Sequence, residues 1–336
     1  MKKKILAAIL MAAMVLSAVG CGGGASEEAA APEAGNTETA ETGDTASNDN
    51  YIAMVSLGFG HQFWQAVKQG AEEAAAEAGY RITFEGPETE TMVDKQVDML
   101  KTALQNNPKA VCMAAIDTES VATILQEAKA EGIPVVGFDA GVGEEESDSK
   151  CSTDNLAAGA MAAEHAAELL GEKGKVAVIG HSQTTIDAVQ RVDGFIEKIG
   201  EYPDIEIVDV QYGEGDQLKS AEIAKSMMTA NPDIDLIYTS NEGACVGAYN
   251  GLKEGNLIGE VLLIGFDSSA ALKQAIRDGE IAGAITQDPI GMGRKTIEIA
   301  IKLINGEEVE SYYDTGCRWY DATNMDDEDI APLLYD

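Results

Sequence analysis

The sequence predicts an α/β fold of two similar lobes, each a doubly wound parallel sheet with helices on both faces. Strand-like apolar runs alternate with helix-like runs along the chain, which is the order that a parallel sheet with helical crossovers requires. A set of motifs that begins at Asn107 and Pro108 recurs at Asn231 and Pro232, about 125 residues later. The chain has 336 residues, enough for two domains of ordinary size.

The strands and helices of the first predicted lobe follow one another without long gaps. The predicted strands are 51–57, 81–84, 110–115 and 134–138, and the predicted helices are 63–78, 93–105 and 120–130. Gly79 and Gly132 end two of these helices, as glycine commonly does. The same alternation continues in the second lobe, with strands at 176–179, 205–210, 236–238 and 261–266 and helices at 188–199, 220–228 and 245–253.

The repeat places an aspartate at the end of an equivalent strand in each lobe. One strand ends in Gly137-Phe138-Asp139 and the other in Gly265-Phe266-Asp267. Sheets of this type bind ligands outside the carboxyl ends of their strands, so we expect Asp139 and Asp267 to face a crevice between the lobes. Capping of a following helix is the alternative role for each aspartate. His181, which follows another predicted strand, is also expected at this crevice.

The N-terminal segment has the form of an export signal. Three lysines precede an apolar run from Ile5 to Val19, which at about 15 residues is shorter than the ~20 that a transmembrane helix needs. Ala18 to Cys21 resembles a lipobox, which implies cleavage after residue 20 and acylation of Cys21. Residues 21–50 are small, acidic and without aromatic side chains, which predicts a flexible tether. We therefore expect an extracytoplasmic protein with a lipid anchor in the cell membrane.

Composition and motifs exclude several classes of function. The net charge is −35, from 23 basic and 58 acidic residues, and this argues against a nucleic-acid partner. The three histidines, His61, His165 and His181, have no metal-ligand spacing, and no nucleophile motif accompanies them. The sequence therefore predicts a protein that is not an enzyme and has no metal or cofactor. A sugar-responsive transcription regulator would carry a basic helix-turn-helix at the N-terminus. This chain has a signal and an acidic tether there, which excludes that class of protein.

Four cysteines remain after Cys21. Cys112 and Cys245 lie in apolar segments and are predicted to be buried free thiols. Cys151 and Cys317 lie near predicted crossings between the lobes, and a disulfide between them is a hypothesis in an extracytoplasmic protein.

From residue 51 to about 324 the chain resembles the ribose/galactose type of periplasmic sugar-binding protein. The matching residues are Phe63-Trp64, Ala78-Gly79-Tyr80, Gly132-Ile133-Pro134, Asp139, Asp154-Asn155, Arg191 before Gly194-Phe195, Asn231-Pro232, Asn241, Gly265-Phe266-Asp267 and Gln287 before Pro289. The resemblance implies the type 1 periplasmic binding protein fold, with three chain crossings between the lobes. It assigns residues 51–153 and 288–315 to the N-terminal lobe and residues 154–287 and 316–336 to the C-terminal lobe. It also implies hinge closure on a sugar and delivery to an ABC import permease.

The resemblance further implies a set of ligand-binding residues. They are His61, Phe63, Trp64, Asp139, Asp187, Arg191, Asn241, Asp267 and Gln287. Carboxylate, guanidinium and amide groups bind the hydroxyls of a sugar ring, and an aromatic ring packs on its C–H face. The alternatives are core packing for Phe63, a surface i,i+4 ion pair for Asp187 and Arg191, and helix capping for Asn241.

The identity of the ligand stays open at this stage. The ribose type has an arginine after its first cleft aspartate, whereas Ala140 and Gly141 follow Asp139 here, which disfavours ribose. The calcium loop of the galactose type is absent from the sequence. A pentose, a hexose, a cyclic polyol, a nucleoside or another polar molecule remains open, as does a role as a receptor subunit for a membrane chemosensor. We expect a monomer.

Overall fold

A computed structural model describes residues 50–335. The predicted signal peptide (1–20), the lipidation site Cys21 and the tether up to residue 49 lie outside the described residues. None of the described helices combines the length and apolarity that crossing a bilayer would need.

The first lobe is built on a parallel sheet. Its strands are β1 (Tyr51–Val55), β2 (Arg81–Glu85), β3 (Ala110–Met113), β4 (Val135–Phe138), β5 (Ser149–Ser152) and β11 (Tyr312–Asp314), and its helices are α1 (Gln62–Ala78), α2 (Val93–Gln105), α3 (Thr118–Ala130) and α9 (Pro289–Ile304). The strand order is β11-β5-β4-β3-β1-β2, with every pair parallel. The order reverses between β1 and β3, and a crevice at the carboxyl ends of the strands is expected at that point.

The second lobe repeats this order with one change. Its strands are β6 (Lys173–Gly180), β7 (Asp204–Tyr212), β8 (Leu236–Thr239), β9 (Leu262–Phe266), β10 (Gly283–Gln287) and β12 (Cys317–Tyr320), and its helices are α4 (Asn155–Leu170), α5 (Ile186–Ile199), α6 (Gln217–Ala230), α7 (Glu242–Glu254) and α8 (Ala270–Arg277). The strand order is β12-β10-β9-β8-β6-β7, and β12 pairs antiparallel with β10. The predicted α/β class with two doubly wound sheets is therefore confirmed.

The chain passes between the lobes three times, as predicted. The passages lie between β5 and α4, between β10 and α9, and between β11 and β12. The three passages touch, because the Thr153 hydroxyl donates to Gln287 Oε1 over 2.8 Å and lies 3.4 Å from the Thr315 hydroxyl. The three passages therefore lie together, as a hinge between two lobes requires.

Two helices of the cleft are held by close backbone approach at glycines. A Cβ atom at Gly70 of α1 would lie only 1.9 Å from the Ile290 carbonyl oxygen of α9. A Cβ atom at Gly159 of α4 would lie 2.2 Å from the Arg191 carbonyl oxygen of α5. Since no real Cβ contact is this short, larger residues would push the helices apart. The candidate site residues lie near the starts of α1 and α5, and the positions of these two helices depend on the close contacts.

Every strand and helix predicted from the sequence is present; α2 has the predicted ends, and the other elements have at least one shifted end. The strand predicted to end at Ala115 ends at Met113, for example, and the helix predicted to begin at Cys245 begins at Glu242. The sequence analysis did not identify β5, α4, α8, β10, α9, β11 and β12. Helix α4 is apolar on most sides and rich in alanine, so its 3.6-residue periodicity is weak.

The hypothesis of a disulfide is wrong for this structure. Cys151 and Cys317 are free thiols, and they lie in the sheets of different lobes. The Cys151 thiol instead contacts the Met292 carbonyl oxygen of α9 at 3.8 Å. Cys112 and Cys245 are buried free thiols, as predicted.

Candidate functional site

The carboxyl ends of the two sheets face each other across a cavity. All nine side chains predicted from the resemblance line it: His61, Phe63, Trp64, Asp139, Asp187, Arg191, Asn241, Asp267 and Gln287. His181, expected at the crevice from its place after a strand, also lines the cavity. The structure therefore brings these residues together, and their contact with a ligand remains a prediction.

An aromatic pair forms the wall contributed by α1. Phe63 and Trp64 lie in the first turn of that helix, with ring centroids 4.9 Å apart and planes nearly perpendicular. Both rings are buried and belong to the core of the first lobe while also lining the cavity. The sequence presented core packing and cavity lining as alternatives for Phe63, and in the structure its ring does both. The indole Nε1 of Trp64 donates to Glu90 Oε1 over 2.9 Å, which fixes the orientation of the ring.

Asp139 and Asp267 occupy equivalent positions, each directly after the strand that precedes it. Their φ angles are 54° and 74°, in the left-handed region. Each backbone amide donates to the neighbouring strand, to Cys151 O for Asp139 and to Ile285 O for Asp267. Neither residue is the N-cap of the helix that follows it, since Asp154 caps α4 and Ser269 caps α8. Both carboxylates are buried and turned to the cavity.

Burial changes the protonation of these two carboxyl groups. It raises the pKa of Asp139 to about 8, and the charges of Asp187 and Asp267 add to this effect while Arg191 opposes it. Burial also raises the pKa of Asp267, against the effect of Arg191 and of a hydrogen bond from Gln287. A buried carboxyl group that is protonated near neutral pH donates a hydrogen bond as well as accepting one, so it pairs with a ligand hydroxyl in either direction.

Arg191 organises the side of the cavity formed by the second lobe. Its Nε donates to Asn155 Oδ1 over 2.8 Å, its Nη1 to the Ser240 carbonyl oxygen over 3.0 Å, and its Nη2 to Gln287 Oε1 over 3.2 Å. The guanidinium also stacks 3.9 Å above the ring of Phe266. Gln287 in turn donates from Nε2 to Asp267 Oδ1 over 2.6 Å. These bonds fix a planar donor group and a carboxylate before a ligand arrives.

Asp187 and Arg191 are not a surface ion pair, because they are only 3% and 2% exposed. Asp187 Oδ2 lies 2.9 Å from His181 Nε2 and 3.8 Å from Arg191 Nη2. Burial by itself would raise the pKa of Asp187, but His181 and Arg191 together hold it below its usual range. The other ring nitrogen of His181 lies 2.7 Å from the Ser240 hydroxyl. Asp187 therefore stays ionised and fixes both neighbours.

The two lobes cap each other's helices across the cleft. The carboxylate of Glu242, at the start of α7, accepts hydrogen bonds from the backbone amides of Gln62 (3.3 Å) and Phe63 (3.2 Å) in the first turn of α1. The N-cap residue of α1, His61, makes no side-chain capping bond of its own. In the opposite direction, the side-chain oxygen of Gln62 accepts a bond from the Ala270 amide of α8 over 3.0 Å. Amides at a helix start require such partners, so these bonds hold the lobes together.

Three further residues line the cavity that the sequence analysis did not select: Leu57, Glu90 and Glu242. Asn241 both lines the cavity and caps α7, its Oδ1 accepting a bond from the Ala244 amide over 2.8 Å. Glu242 is its neighbour, and Glu90 follows β2 at the carboxyl edge of the sheet. Their place after strands of a parallel sheet was the available signal. Within residues 50–335, no cluster of three or more His, Cys, Asp or Glu side chains is arranged to hold a metal ion.

Comparison with known proteins gives consistent matches over most of the chain. The family model described as "Periplasmic binding protein domain" matches residues 52–308. The ribose import binding protein of Escherichia coli K12 is 25% identical over 262 residues, which is 78% of this chain and 87% of that protein.

Solved structures match the fold closely. An ABC transporter solute-binding protein of Agrobacterium vitis with bound D-fucose has a TM-score of 0.82 at 28% identity, covering 85% of this chain and 100% of that chain. A carbohydrate transporter solute-binding protein of Agrobacterium radiobacter in complex with D-arabinose has a TM-score of 0.81 at 29% identity, covering 85% of this chain and 98% of that chain.

Proposed function

The chain belongs to the periplasmic binding protein family, and from that premise we propose that it captures a monosaccharide between its lobes for an ABC import permease. One observation carries the proposal. Planar polar side chains from both lobes and an aromatic pair converge on one cavity that only the approach of the lobes creates. A sugar ring presents hydroxyls around its edge and C–H groups on its faces, so this arrangement complements it. The similarity to solute-binding proteins with bound D-fucose and D-arabinose supports the same class of ligand.

The charges around the cavity restrict the proposed class of ligand further. Among the described residues that line it, Arg191 is the one Arg or Lys, whereas Glu90, Asp139, Asp187, Glu242 and Asp267 all carry carboxyl groups. A carboxylate ligand such as a sugar acid would lie near the ionised Asp187 and would have Arg191 as its one cationic partner in the cavity. The ligand is therefore a neutral sugar whose hydroxyls exchange hydrogen bonds with the carboxyl groups. Ribose is disfavoured because no arginine follows Asp139.

Hinge closure is the mechanism of capture. The N-terminal lobe comprises residues 51–153 and 288–315, and the C-terminal lobe comprises residues 154–287 and 316–336. A ligand that contacts Asp139 and Trp64 on one side and Arg191 and Asp267 on the other binds the closed form better than the open form. It thereby shifts the population toward the closed form that the permease recognises.

The protein acts outside the cytoplasm as a monomer and catalyses no reaction. Residues 1–20 are removed during export, and Cys21 carries the lipid that anchors the acidic tether to the cell membrane. Mass spectrometry of the mature protein extracted from membranes tests the anchor. An acylated N-terminal Cys21 is expected, and the Cys21→Ala variant should leave the membrane fraction. An unmodified cysteine in membrane-extracted protein would refute the anchor.

A thermal-shift screen tests the proposed ligand class. The chain without its signal peptide, with Cys21→Ser, is heated in the presence of pentoses, hexoses, polyols, nucleosides and amino acids. A ligand that binds only the folded state raises the melting temperature. We expect a shift with one or a few neutral monosaccharides. An unchanged melting temperature with every sugar, together with a shift for an amino acid or a nucleoside, would overturn the sugar assignment and leave the fold assignment intact.

A further inference from the structure

Glu90 lies where three cavities of the cleft meet. It lines the central cavity together with the predicted ligand-binding residues. It also lines two outer clefts, one beside Gly215 and one beside Ser182. No other residue lines all three, within the part of the chain that the structure describes. Its side chain therefore separates the central cavity from the mouth of the cleft.

The glutamate is held in this place by the first lobe and lies close to the backbone of the second. Oε1 accepts the bond from the Trp64 indole and lies 3.7 Å from His61 Nε2. A Cβ atom at Gly58 of the first lobe would lie 3.0 Å from Glu90 Cγ, and one at Gly215 of the second lobe would lie 2.9 Å from Glu90 Oε2. The side chain is 11% exposed. Two glycines thus leave the space that the glutamate occupies when the lobes approach.

We propose that Glu90 is a specificity-determining residue that fixes the Trp64 platform, accepts a ligand hydroxyl and limits the size of the ligand at the cleft mouth. This inference rests on the proposed function, because it assumes a sugar in the central cavity. A monosaccharide bound between the lobes would lie behind the glutamate and donate a hydroxyl to its carboxylate. A substituent that points to the mouth would collide with the side chain.

Binding measurements with matched sugars test the size limit. The probes are D-arabinose and D-fucose, each compared with its methyl glycosides by isothermal titration calorimetry. Glu90→Ala should weaken binding of the free sugar by about tenfold or more, because a charge-assisted hydrogen bond and the support of the indole are lost. The same variant should raise the affinity of the methyl glycosides relative to the free sugar. Glu90→Gln keeps the size of the side chain and should keep the preference for the free sugar.

Glu88→Ala is the matched control. Glu88 lies in the same loop and lines an outer cleft but not the central cavity, and it pairs with Lys95 at the surface. Its removal should leave affinity and preference unchanged. If Glu90→Ala behaves like Glu88→Ala, the inference is overturned while the sugar function stands. If the wild-type chain binds neither sugar nor any other monosaccharide, the proposed function itself fails.

The positioning of the indole has a test that needs no ligand. The chain contains two tryptophans, so a spectrum of the ¹⁵N-labelled protein shows two indole signals. Trp64 Nε1 donates to Glu90, and Trp319 Nε1 donates to Asp321 over 3.0 Å. Glu90→Ala should shift and broaden one signal, and Asp321→Ala should shift the other. An unchanged Trp64 signal in folded Glu90→Ala would overturn the positioning role.

Discussion

Replacing Glu242 with glutamine should remove a pH dependence of ligand binding. Glu242 bridges the lobes by capping α1, and its side chain is buried where the lobes meet. Burial raises its pKa to about 7, with the charge of Asp267 adding to the effect and His61 opposing it. When the lobes separate, the carboxyl group faces water and its pKa returns toward the ordinary value of 4.5. Closure therefore takes up a proton near neutral pH.

The size and sign of the effect follow from this pKa difference. A change from 4.5 to about 7 corresponds to about 3 kcal/mol between the two protonation states. Because the closed form has the higher pKa, the extra stability of closure is fully present below pH 4.5 and is lost as the pH rises through 7. Affinity should therefore rise about tenfold from pH 8 to pH 6 through this group alone. Glu242→Gln removes the charge and keeps one of the two acceptor oxygens for the α1 amides, so its affinity should lose this tenfold change between pH 8 and pH 6.

Calorimetry in buffers of different ionisation enthalpy measures the proton uptake directly. At pH 7 the wild type should take up about half a proton more than Glu242→Gln on binding the same sugar. The comparison isolates Glu242, because Asp139, whose pKa is about 8, titrates in both proteins. Glu214→Gln, at an exposed carboxylate of the cleft mouth, is the control and should match the wild type. Equal proton uptake in the wild type and Glu242→Gln would refute the reasoning.

Three further outcomes are expected. Asp267→Ala should weaken sugar binding by about 1.5–3 kcal/mol in titration calorimetry, and unchanged affinity would place the ligand elsewhere. Gly70→Ala should lower the free energy of unfolding by about 1–3 kcal/mol in urea denaturation, because its Cβ atom collides with the Ile290 carbonyl; a stability equal to the wild type would contradict the close helix contact. In the chain carrying Cys21→Ser, a thiol reagent should not react with the folded protein. After unfolding without reductant it should react with four thiols, Cys112, Cys151, Cys245 and Cys317. A count of two thiols would indicate a disulfide.

The sequence was sufficient to predict the architecture and most of the cavity wall. Hydrophobic alternation located the strands, and the repeated Gly-Phe-Asp ends identified Asp139 and Asp267 as equivalent. The resemblance then supplied Asp187 and Arg191, which spacing alone presents as an ordinary surface pair on a helix. Their burial could not be inferred from the i,i+4 pattern, because it depends on how α5 packs against α4.

Contacts across the cleft were beyond sequence reasoning. The place of Glu90 and Glu242 after strands marks the carboxyl edges of the sheets, but the contact of Glu242 with α1 and the closeness of Glu90 to Gly215 depend on the approach of two lobes, which neither periodicity nor a turn signal encodes. The proposed disulfide failed for a related reason, since closeness to the hinge along the chain does not bring Cys151 and Cys317 together in space. Residues that join distant segments need the tertiary structure before they can be recognised.

The left-handed backbone at Asp139 and Asp267 restricts how this cleft can be redesigned. At their positive φ angles, most side chains crowd the adjacent carbonyl at a cost of about 1–2 kcal/mol, and glycine, asparagine and aspartate are the residues that adopt this conformation readily. In a library that randomises both positions, most variants would therefore have a strained backbone. New ligand selectivity is better sought at Glu90, Asp187 and Gln287, which have no positive φ angle. At Asp139 and Asp267 the library should allow glycine, asparagine and aspartate alone.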